Sequence, residues 1–459
     1  MYWSMLQPEI RELIENKEFA ILREVFSEWS VADLAELISE IPEDQQAILF
    51  RLLPRYLSTE TFEYLDHEVQ KNLLRALGQK EIAGILNEMS PDDRTAFLEE
   101  LPHAAVTQIL TLLSREEREV AKSLLGYPED SIGRLMTPDY IAVTQEMTVK
   151  QVLSYVRKFG KDSETLNMIY VVDRVGKLVD DIQIRQFLLS SPNKKIKTIM
   201  DRNFVSLLVS DDQETAVSVF KKYDLHSLPV VDSEGYLVGI VTIDDVLDVA
   251  EEEATQDIQK IGGMEALDEP YLSTSLLRIV RKRAVWLVIL FVGEMLTASA
   301  MAIYENEIAR AVVLALFVPL IISSGGNSGS QATTLVIRSL AVGEFELRDW
   351  WRIMRREIVS GLSLGIILGV IGVIRITVWQ MVGGMYGPQW FFIALTVGIS
   401  LVGVVLWGTL MGSMLPFILK KIGIDPATSS APFVATLVDV SGLVIYFNVA
   451  FWILSGRLL

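Results

Sequence analysis

The chain contains no cysteine and only three histidines among its 459 residues. The absence of cysteine excludes disulfides, thiolate nucleophiles and cysteine-ligated zinc. The histidines, His67, His103 and His226, are far apart in the sequence, which argues against an imidazole metal cage. No nucleophile–base set, phosphate-binding loop or catalytic metal motif is present, so the sequence does not predict an enzyme. The first residues lack a basic start followed by an apolar core, and we expect no secretory signal.

Acidic and basic side chains are divided unevenly along the chain, whose net charge is −18. Residues 1–277 carry 27 basic and 50 acidic side chains, whereas residues 278–459 carry 14 basic and 9 acidic ones. A strongly acidic surface repels phosphate backbones and attracts cations. We therefore expect cations rather than nucleic acid as partners.

Five apolar stretches follow Arg283, and each is long enough to cross a lipid bilayer as a helix of about 20 residues. They are residues 284–302, 309–324 continuing toward 338, 358–380, 390–419 and 432–454. Basic residues cluster before the first stretch, between the second and third, and after the fourth. Because such residues mark the cytoplasmic side, we predict a cytoplasmic N-terminal part and an external C-terminus.

Asp439 lies inside the fifth apolar stretch, where a charge costs about 2.5–3.5 kcal/mol. Helical spacing places it on one small, polar face with Pro432, Ala435, Thr436 and Gly442. This pattern predicts a water-lined cation path with Asp439 as its charged site. The alternative is an aspartate that is hydrogen-bonded between packed helices.

The second apolar stretch contains the sequence PLIISSGGNSGSQATTLVIR. Gly325 and Gly326 predict a break in this helix, because glycine costs about 1 kcal/mol relative to alanine. A polar stripe follows, which we interpret as a second wall of the path, with tight helix packing as the alternative. The stripe consists of Asn327, Ser330, Gln331, Thr334 and Arg338.

Two features of the other stretches bear on helix packing. Gly361, Gly365 and Gly369 recur every four residues in the third stretch, which favours close helix–helix contact. Glu294, in the middle of the first stretch, either lines water or bonds a neighbouring helix, and the sequence favours neither.

The acidic part of the chain divides into two regions. Residues 1–127 contain short amphipathic patterns separated by proline-led turns, which predicts a helical domain; Ser90 and Pro91 have the residue types of an N-cap and first turn. Residues 128–243 contain an internal repeat of strand–turn–strand–helix units. These units resemble a tandem pair of CBS (cystathionine β-synthase-type) modules. The first copy has Val179-Asp180-Asp181 where a glycine-containing apolar strand is expected.

A long acidic helix is predicted at the start of residues 244–275, which connect this region to the membrane part, residues 276–459. Its carboxylates, Asp245, Asp248, Glu252, Glu253 and Asp257, repel one another unless a cation lies between them. Divalent cations favour such oxygen ligands. The alternative is an ordinary solvated linker helix.

The order of these parts, together with three motifs, resembles the MgtE family of magnesium channels and transporters over essentially the whole chain. The motifs are residues 319–341, 435–443 and 228–262. The resemblance implies a homodimer whose pore, between the second and fifth spans of both protomers, conducts Mg²⁺ inward. It also implies that Asp439 is the selectivity residue, that Gly325, Gly326 and Asn327 line the pore, and that the connecting helix is a plug.

The resemblance further implies regulatory Mg²⁺ sites in the cytoplasmic part. One set joins the helical domain to the second CBS module: Glu60, Asp92, Asp224, Asp245 and Asp248. A second set surrounds the plug: Glu214, Glu253, Asp257 and Asp425. Ala96 and Gln256 stand where the family has further acids, which predicts lower Mg²⁺ sensitivity.

ATP is a weak candidate ligand by the same resemblance. Arg185 matches a nucleotide-contacting position, but Met168, Gln186 and Leu225 replace the expected aromatic and acidic contacts. We therefore doubt strong regulation by ATP.

The sequence thus predicts a multidomain α-helical membrane protein: a superhelical N domain, an α+β CBS pair, a plug helix and five transmembrane helices. The predicted function is a Mg²⁺ channel of the inner (plasma) membrane that serves Mg²⁺ homeostasis and closes when internal Mg²⁺ is high. Two alternatives stay open. One is a channel for Mn²⁺ or Co²⁺, and the other is a membrane-anchored cation or nucleotide sensor that conducts nothing.

Overall fold

The computed structural model describes residues 9–456 apart from 11, 15, 268–270 and 272–273. The chain forms two compact units, Met1–Ala250 and Glu251–Leu459. One helix, Ile243–Ile261, contributes residues to both units. Each unit is described by itself below.

Short helices form the first half of the first unit, as predicted. Three of them begin directly after a proline: Pro42, Pro54 or Pro102. Proline is tolerated at the start of a helix because the backbone N–H that it lacks would have no partner within the helix there. Phe62 and Phe97 meet edge to face in the core, with ring centroids 5.5 Å apart. The helices are Phe19–Phe26 (α1), Val31–Glu40 (α2), Glu43–Phe50 (α3), Arg55–Glu63 (α4), His67–Ala76 (α5), Gln79–Glu88 (α6), Pro91–Glu99 (α7), His103–Leu112 (α8) and Arg115–Leu124 (α9).

Two three-stranded sheets of the same topology follow, which agrees with the predicted internal repeat. In each sheet the middle strand pairs in parallel with the strand before it and antiparallel with the strand after it. The first contains β1 (Ala142–Thr144), β2 (Met168–Val172) and β3 (Leu178–Gln183), and the second β4 (Leu207–Leu208), β5 (Ser227–Val231) and β6 (Leu237–Thr242). The helices here are Ile132–Leu135 (α10), Val149–Phe159 (α11), Ile184–Leu189 (α12), Gln213–Tyr223 (α13) and Ile243–Ile261 (α14).

Asp180 explains how the first copy keeps this fold despite its unusual sequence. It lies fully buried in β3. Its Oδ2 accepts hydrogen bonds from the backbone N–H groups of Asp201 and Arg202, at 3.1 and 3.2 Å. A buried carboxylate is tolerated when such donors surround it. Asp180 thus links β3 by hydrogen bonds to the loop that contains Asp201 and Arg202.

Within the described part of the second unit, five helices are long and apolar enough to span a membrane, as predicted. They are called the first to fifth spans: Leu276–Ile303, Val312–Ala341, Leu347–Gly383, Trp390–Lys421 and Ala431–Leu454. Their main helices are Leu276–Ile303 (α15), Val318–Ala341 (α18), Trp350–Gly383 (α19), Trp390–Lys421 (α20) and Ala431–Leu454 (α21), and the short helices Glu305–Arg310 (α16) and Val312–Ala315 (α17) lie between α15 and α18.

Glycines bring the spans into close contact. A Cβ atom on Gly365 would lie 2.8 Å from Cα of Val402, and one on Gly369 would lie 2.8 Å from the carbonyl oxygen of Gly398. Real side chains do not fit at such distances, so the third span packs on the fourth through its glycines. The packing interpretation of this glycine repeat is confirmed.

The predicted break at Gly325-Gly326 is wrong, since α18 is continuous from Val318 to Ala341. A Cβ atom on Gly325 would lie 2.5 Å from Cγ1 of Val404 on the fourth span. The glycines therefore serve close packing, and the packing gain outweighs their low helix propensity.

Candidate functional site

Asp439, in the fifth span, lies next to the first and second spans of the second unit. A Cβ atom on Gly326, in the second span, would lie 3.5 Å from Oδ1 of Asp439. On the first span, Glu294 is close enough to act electrostatically on the Asp439 carboxylate. The carboxylate thus faces the second span on one side and another acid on the other.

The second span has two chemically different faces. Its buried face is fixed to the fourth span: Ser328 and Thr409 share a hydrogen bond of 2.7 Å, and Thr333 donates to the carbonyl of Gly412 at 2.9 Å. Its other face is polar and exposed over four turns. The exposed polar residues are Ser323, Asn327, Gln331, Thr334 and Arg338.

The predicted pore residues of the second and fifth spans are divided between exposed and buried positions. Asn327 is exposed, and its amide donates to Ser323 at 3.4 Å. Gly325 and Gly442 are buried against Val404, and Thr436 is half-buried with its hydroxyl bonded to the carbonyl of Pro432. Ser330 departs from the stripe, because its hydroxyl donates to the carbonyl of Ala431 at 3.0 Å.

A second polar cluster lies in the same unit, at the end of α14. The Lys260 ammonium donates to Oδ2 of Asp425 at 2.8 Å, and Oδ1 of Asp425 accepts the N–H of Ala427. Burial raises the pKa of Asp257, and Asp425 raises it further, whereas Lys260 lowers it. The cluster therefore already contains one cation, the lysine, among its carboxylates. Glu253 also acts on Asp257.

A third cluster lies within the first unit, around Asp92 at the start of α7. Asp92 is only 7% exposed, and its Oδ1 is buried without a hydrogen-bond partner among the described residues. Asp245, from the start of α14, and Glu164, from the loop before β2, are its acidic neighbours together with Asp93. Carboxylates in this cluster come from three parts of the unit: the helical domain, the first CBS module and α14.

Burial dominates the titration of this cluster. It raises the pKa of Asp92 far above the usual range, and Asp245, Asp93 and Glu164 raise it further. Burial also raises the pKa of Asp245, against a hydrogen bond from Thr242. Glu63, whose carboxylate accepts the N–H of Ser90, has its pKa raised to about 7 by burial, with a smaller contribution from Asp93. The folded protein therefore favours carboxyl groups in this cluster that are protonated or paired with a cation.

The orphaned oxygen of Asp92 and its carboxylate neighbours suit a hydrated Mg²⁺ ion, which keeps several of its waters. Among the described residues, no three acids or histidines form a compact group that could hold a metal ion. Binding through water is therefore the mode that fits.

Other predicted regulatory residues are exposed on the surface of the first unit. Glu60 is exposed on α4 and acts on Glu63. Asp224 is exposed at the left-handed end of α13, with φ 52°, and Glu214 is exposed in the first turn of that helix. Asp248 is exposed on α14.

Sequence reasoning missed several members of these clusters. Asp93, and Asp244 that acts on it, adjoin predicted residues, and Lys260 follows Asp257 by one helical turn, so their positions in the sequence could have indicated them. Glu63 likewise follows the predicted Glu60 by one helical turn, whereas Glu164 had no such signal. Only the fold brings the Glu164 loop to α7.

Comparison with known proteins was made against family models and against individual proteins. The model described as "Divalent cation transporter" (MgtE) matches residues 318–449, the MgtE intracellular N domain matches residues 29–130, and the CBS domain matches residues 196–252. The magnesium transporter MgtE of Thermus thermophilus is 37% identical over 448 residues, which cover 97% of this chain and 98% of the relative. The chain belongs to the MgtE family. It is therefore a membrane transport protein with an intracellular N-terminal domain, and not an enzyme.

Other MgtE proteins support the same assignment. The magnesium transporter MgtE of Bacillus subtilis is 30% identical over 438 residues, covering 95% of each chain. A crystal structure of the cytosolic domain of the Mg²⁺ channel MgtE in complex with ATP is 36% identical, with a TM-score of 0.51, and covers 53% of this chain and 100% of that one. The cytoplasmic half of this MgtE protein thus has a known counterpart.

Of the positions predicted for nucleotide contact, Arg185 is exposed at the start of α12. Met168 is buried in β2 and Leu225 is half-buried after α13. Gln186 is exposed beside Arg185. This MgtE chain therefore offers one exposed cation at those positions.

Proposed function

We propose that this chain is a homodimeric Mg²⁺ channel that admits Mg²⁺ to the cytoplasm across the inner (plasma) membrane. The magnesium transporters named among its relatives support the choice of ion. The basic residues at alternate ends of the spans support an external C-terminus.

The observation that carries the proposal is the exposed polar face of the second span beside Asp439. A polar face of four turns cannot face hydrocarbon, because unpaired polar groups cost several kcal/mol there. It therefore faces water, a second protomer or both. In a two-fold dimer, two such faces and two Asp439 carboxylates would enclose a path along which Mg²⁺ passes with its waters, since it dehydrates reluctantly.

Closure by internal Mg²⁺ is the second part of the proposal. Without Mg²⁺, the carboxylates around Asp92 and around Asp257 repel one another, and the parts that carry them separate. With Mg²⁺, bridging ions hold those parts together and the plug helix α14 closes the cytoplasmic mouth. Several ions are needed, because a shift from 1:99 to 99:1 takes about 5.5 kcal/mol of differential binding.

ATP has a minor place in this proposal. A similar cytosolic domain that was crystallised in complex with ATP supports nucleotide binding by the cytoplasmic part of this chain. Arg185 would contact the nucleotide, and the replacement of the expected aromatic and acidic contacts by Met168, Gln186 and Leu225 would leave binding weak. Calorimetric titration of the purified protein with ATP tests this part, and Arg185→Ala should weaken the binding further.

Flux into liposomes tests the channel itself. Asp439→Asn should abolish Mg²⁺ entry in reconstituted protein that elutes as the wild type does, because the charge at the path is removed without change of shape. Asp349→Asn, on the loop side of the third span, is the matched control and should retain entry. Unchanged entry in Asp439→Asn would remove the pore assignment.

The same assay decides between the ions. We expect Mg²⁺ entry to continue when Mn²⁺ or Co²⁺ is added in modest excess over Mg²⁺. Transition metals bind bare oxygen and nitrogen sites more tightly than Mg²⁺ does. Strong inhibition by Co²⁺ would therefore indicate binding of a dehydrated ion and favour the alternative channel.

A further inference from the structure

Glu294 is an acidic residue in the middle of the otherwise apolar first span, and it carries the further inference. A charged side chain at that depth costs about 2.5–3.5 kcal/mol. Such a residue is retained where it has a partner or a water-filled path. The residue beside it in the structure is Asp439.

The first and fifth spans touch directly beside Glu294. A Cβ atom on Gly293 would lie 2.6 Å from Cγ2 of Thr436, so only glycine permits this approach. Asp439 follows Thr436 by almost one helical turn. The contact between Gly293 and Thr436 therefore places Glu294 and Asp439 at a similar depth along the two spans.

Asp439 lies within reach of the electrostatic influence of Glu294 at that level. The pair is not sealed in a packed interface, since Glu294 is exposed and Asp439 is half-buried. One turn beyond Glu294, the Thr297 hydroxyl is buried without a hydrogen-bond partner among the described residues. The first span thus presents a polar strip, Glu294 and Thr297, where it meets the fifth.

We infer that Glu294 is a specificity-determining residue of the ion path, where its carboxylate adds a second negative charge beside Asp439 for the hydrated divalent cation. The inference rests on the proposed function. A doubly charged ion gains more from two neighbouring carboxylates than a monovalent ion does, because the Coulomb energy scales with the product of the charges. Glu294 thus favours divalent over monovalent cations and raises the affinity of the path.

Entry of Mg²⁺ into liposomes, measured against external Mg²⁺ with the full chain, tests this role. Glu294→Gln keeps the size of the side chain and removes its charge, so the half-saturating Mg²⁺ concentration should rise by about tenfold, or about 1.4 kcal/mol. Glu294→Asp should restore it to within about twofold of the wild type. In Glu294→Gln the ratio of Na⁺ entry to Mg²⁺ entry, each measured with that ion alone, should increase, because the monovalent ion loses less attraction than the divalent one.

Glu305→Gln is the charge-matched control, because Glu305 lies exposed beyond the end of the same helix. It should leave half-saturation unchanged at physiological salt, where charges are screened over about 8 Å. Half-saturation in Glu294→Gln equal to that of the wild type would overturn the inference. So would equal loss in Glu294→Asp and Glu294→Gln, which indicates packing rather than charge.

The two failures are distinguishable. If Asp439→Asn abolishes entry while Glu294→Gln behaves as the wild type, only the role of Glu294 is lost. If Asp439→Asn also conducts normally, the proposed pore itself fails.

Discussion

The ammonium of Lys260 donates a hydrogen bond to the carboxylate of Asp425 at 2.8 Å and thereby joins the plug helix to the loop before the fifth span. The two side chains are 31% and 40% exposed. Ion pairs with this exposure contribute about 0–1 kcal/mol. The Lys260–Asp425 pair, called the latch below, is therefore too weak to hold a channel closed by itself. A second cation bound beside it would add to its effect.

Lys260→Met should enlarge the response of the channel to internal Mg²⁺. Without the ammonium, Asp257 and Asp425 repel at low Mg²⁺ and bind the ion more tightly at high Mg²⁺. We expect more open channels below the closing concentration and steeper closure above it, measured as single-channel open probability against internal Mg²⁺. Lys421→Met, exposed at the end of the fourth span, is the control and should leave the curve unchanged. An unchanged curve in Lys260→Met would show that the latch has no part in gating.

Asp92→Asn should stabilise the protein when Mg²⁺ is absent. The substitution removes a buried charge from a cluster of acids at nearly constant volume. A gain of about 1 kcal/mol corresponds to about 2–4 °C in Tm for a unit of this size. Thermal unfolding in EDTA should show this rise, and the added stability from Mg²⁺ should shrink. Glu36→Gln, on the exposed face of α2, should change neither value. A lower Tm in EDTA would mean that the Asp92 charge is already compensated.

The pH dependence of stability in EDTA follows from the raised pKa values. The folded chain holds protons on Glu63, Glu164 and the Asp92 cluster more tightly than the unfolded chain does. Stability therefore falls as pH rises from about 4, the ordinary carboxyl pKa, to about 7, the pKa of Glu63. We expect Tm to decrease by several degrees over this range.

Excess Mg²⁺ should flatten that pH profile, because the ion replaces the lost protons at high pH. A profile that rises with pH in EDTA would contradict the assignment of these carboxyls as the dominant titrating groups. The same scan of Asp92→Asn should show a smaller fall.

Gly408→Ala should disrupt the membrane part. A Cβ atom there would lie 2.3 Å from the carbonyl oxygen of Gly325, which cannot move without displacing the second span. Overpacking of this kind costs about 1–3 kcal/mol or more. We expect loss of the monodisperse peak in size-exclusion chromatography after solubilisation. Gly383→Ala is the control, since nothing lies within 4 Å of its added atom. A normal peak for Gly408→Ala would refute the backbone contact between the second and fourth spans.

Much of the architecture could be predicted because it depends on local patterns. Apolar length predicts the five spans, and proline positions and amphipathic spacing predict the short helices α1–α9. The strand repeat predicts the two similar sheets. Asp439 could be identified because a single acid in an apolar helix is costly wherever the helix packs.

Other features depend on distant parts of the chain and could not be predicted. Local propensity indicated a break at Gly325-Gly326, but the fourth span presses against those glycines and keeps the helix continuous. Likewise, Asp180 stands where an apolar strand is expected, and backbone donors some twenty residues later satisfy its carboxylate.

The sequence alone therefore determined which elements form, which part enters the membrane and which acid lies within it, because periodicity, length and charge are properties of the chain itself. The tertiary structure decided which side chains meet. It placed Glu294 beside Asp439, Glu164 beside Asp92 and Lys260 against Asp425. Such pairs join residues that are 72 to 165 positions apart, and only packing between helices and loops brings them within reach of one ion.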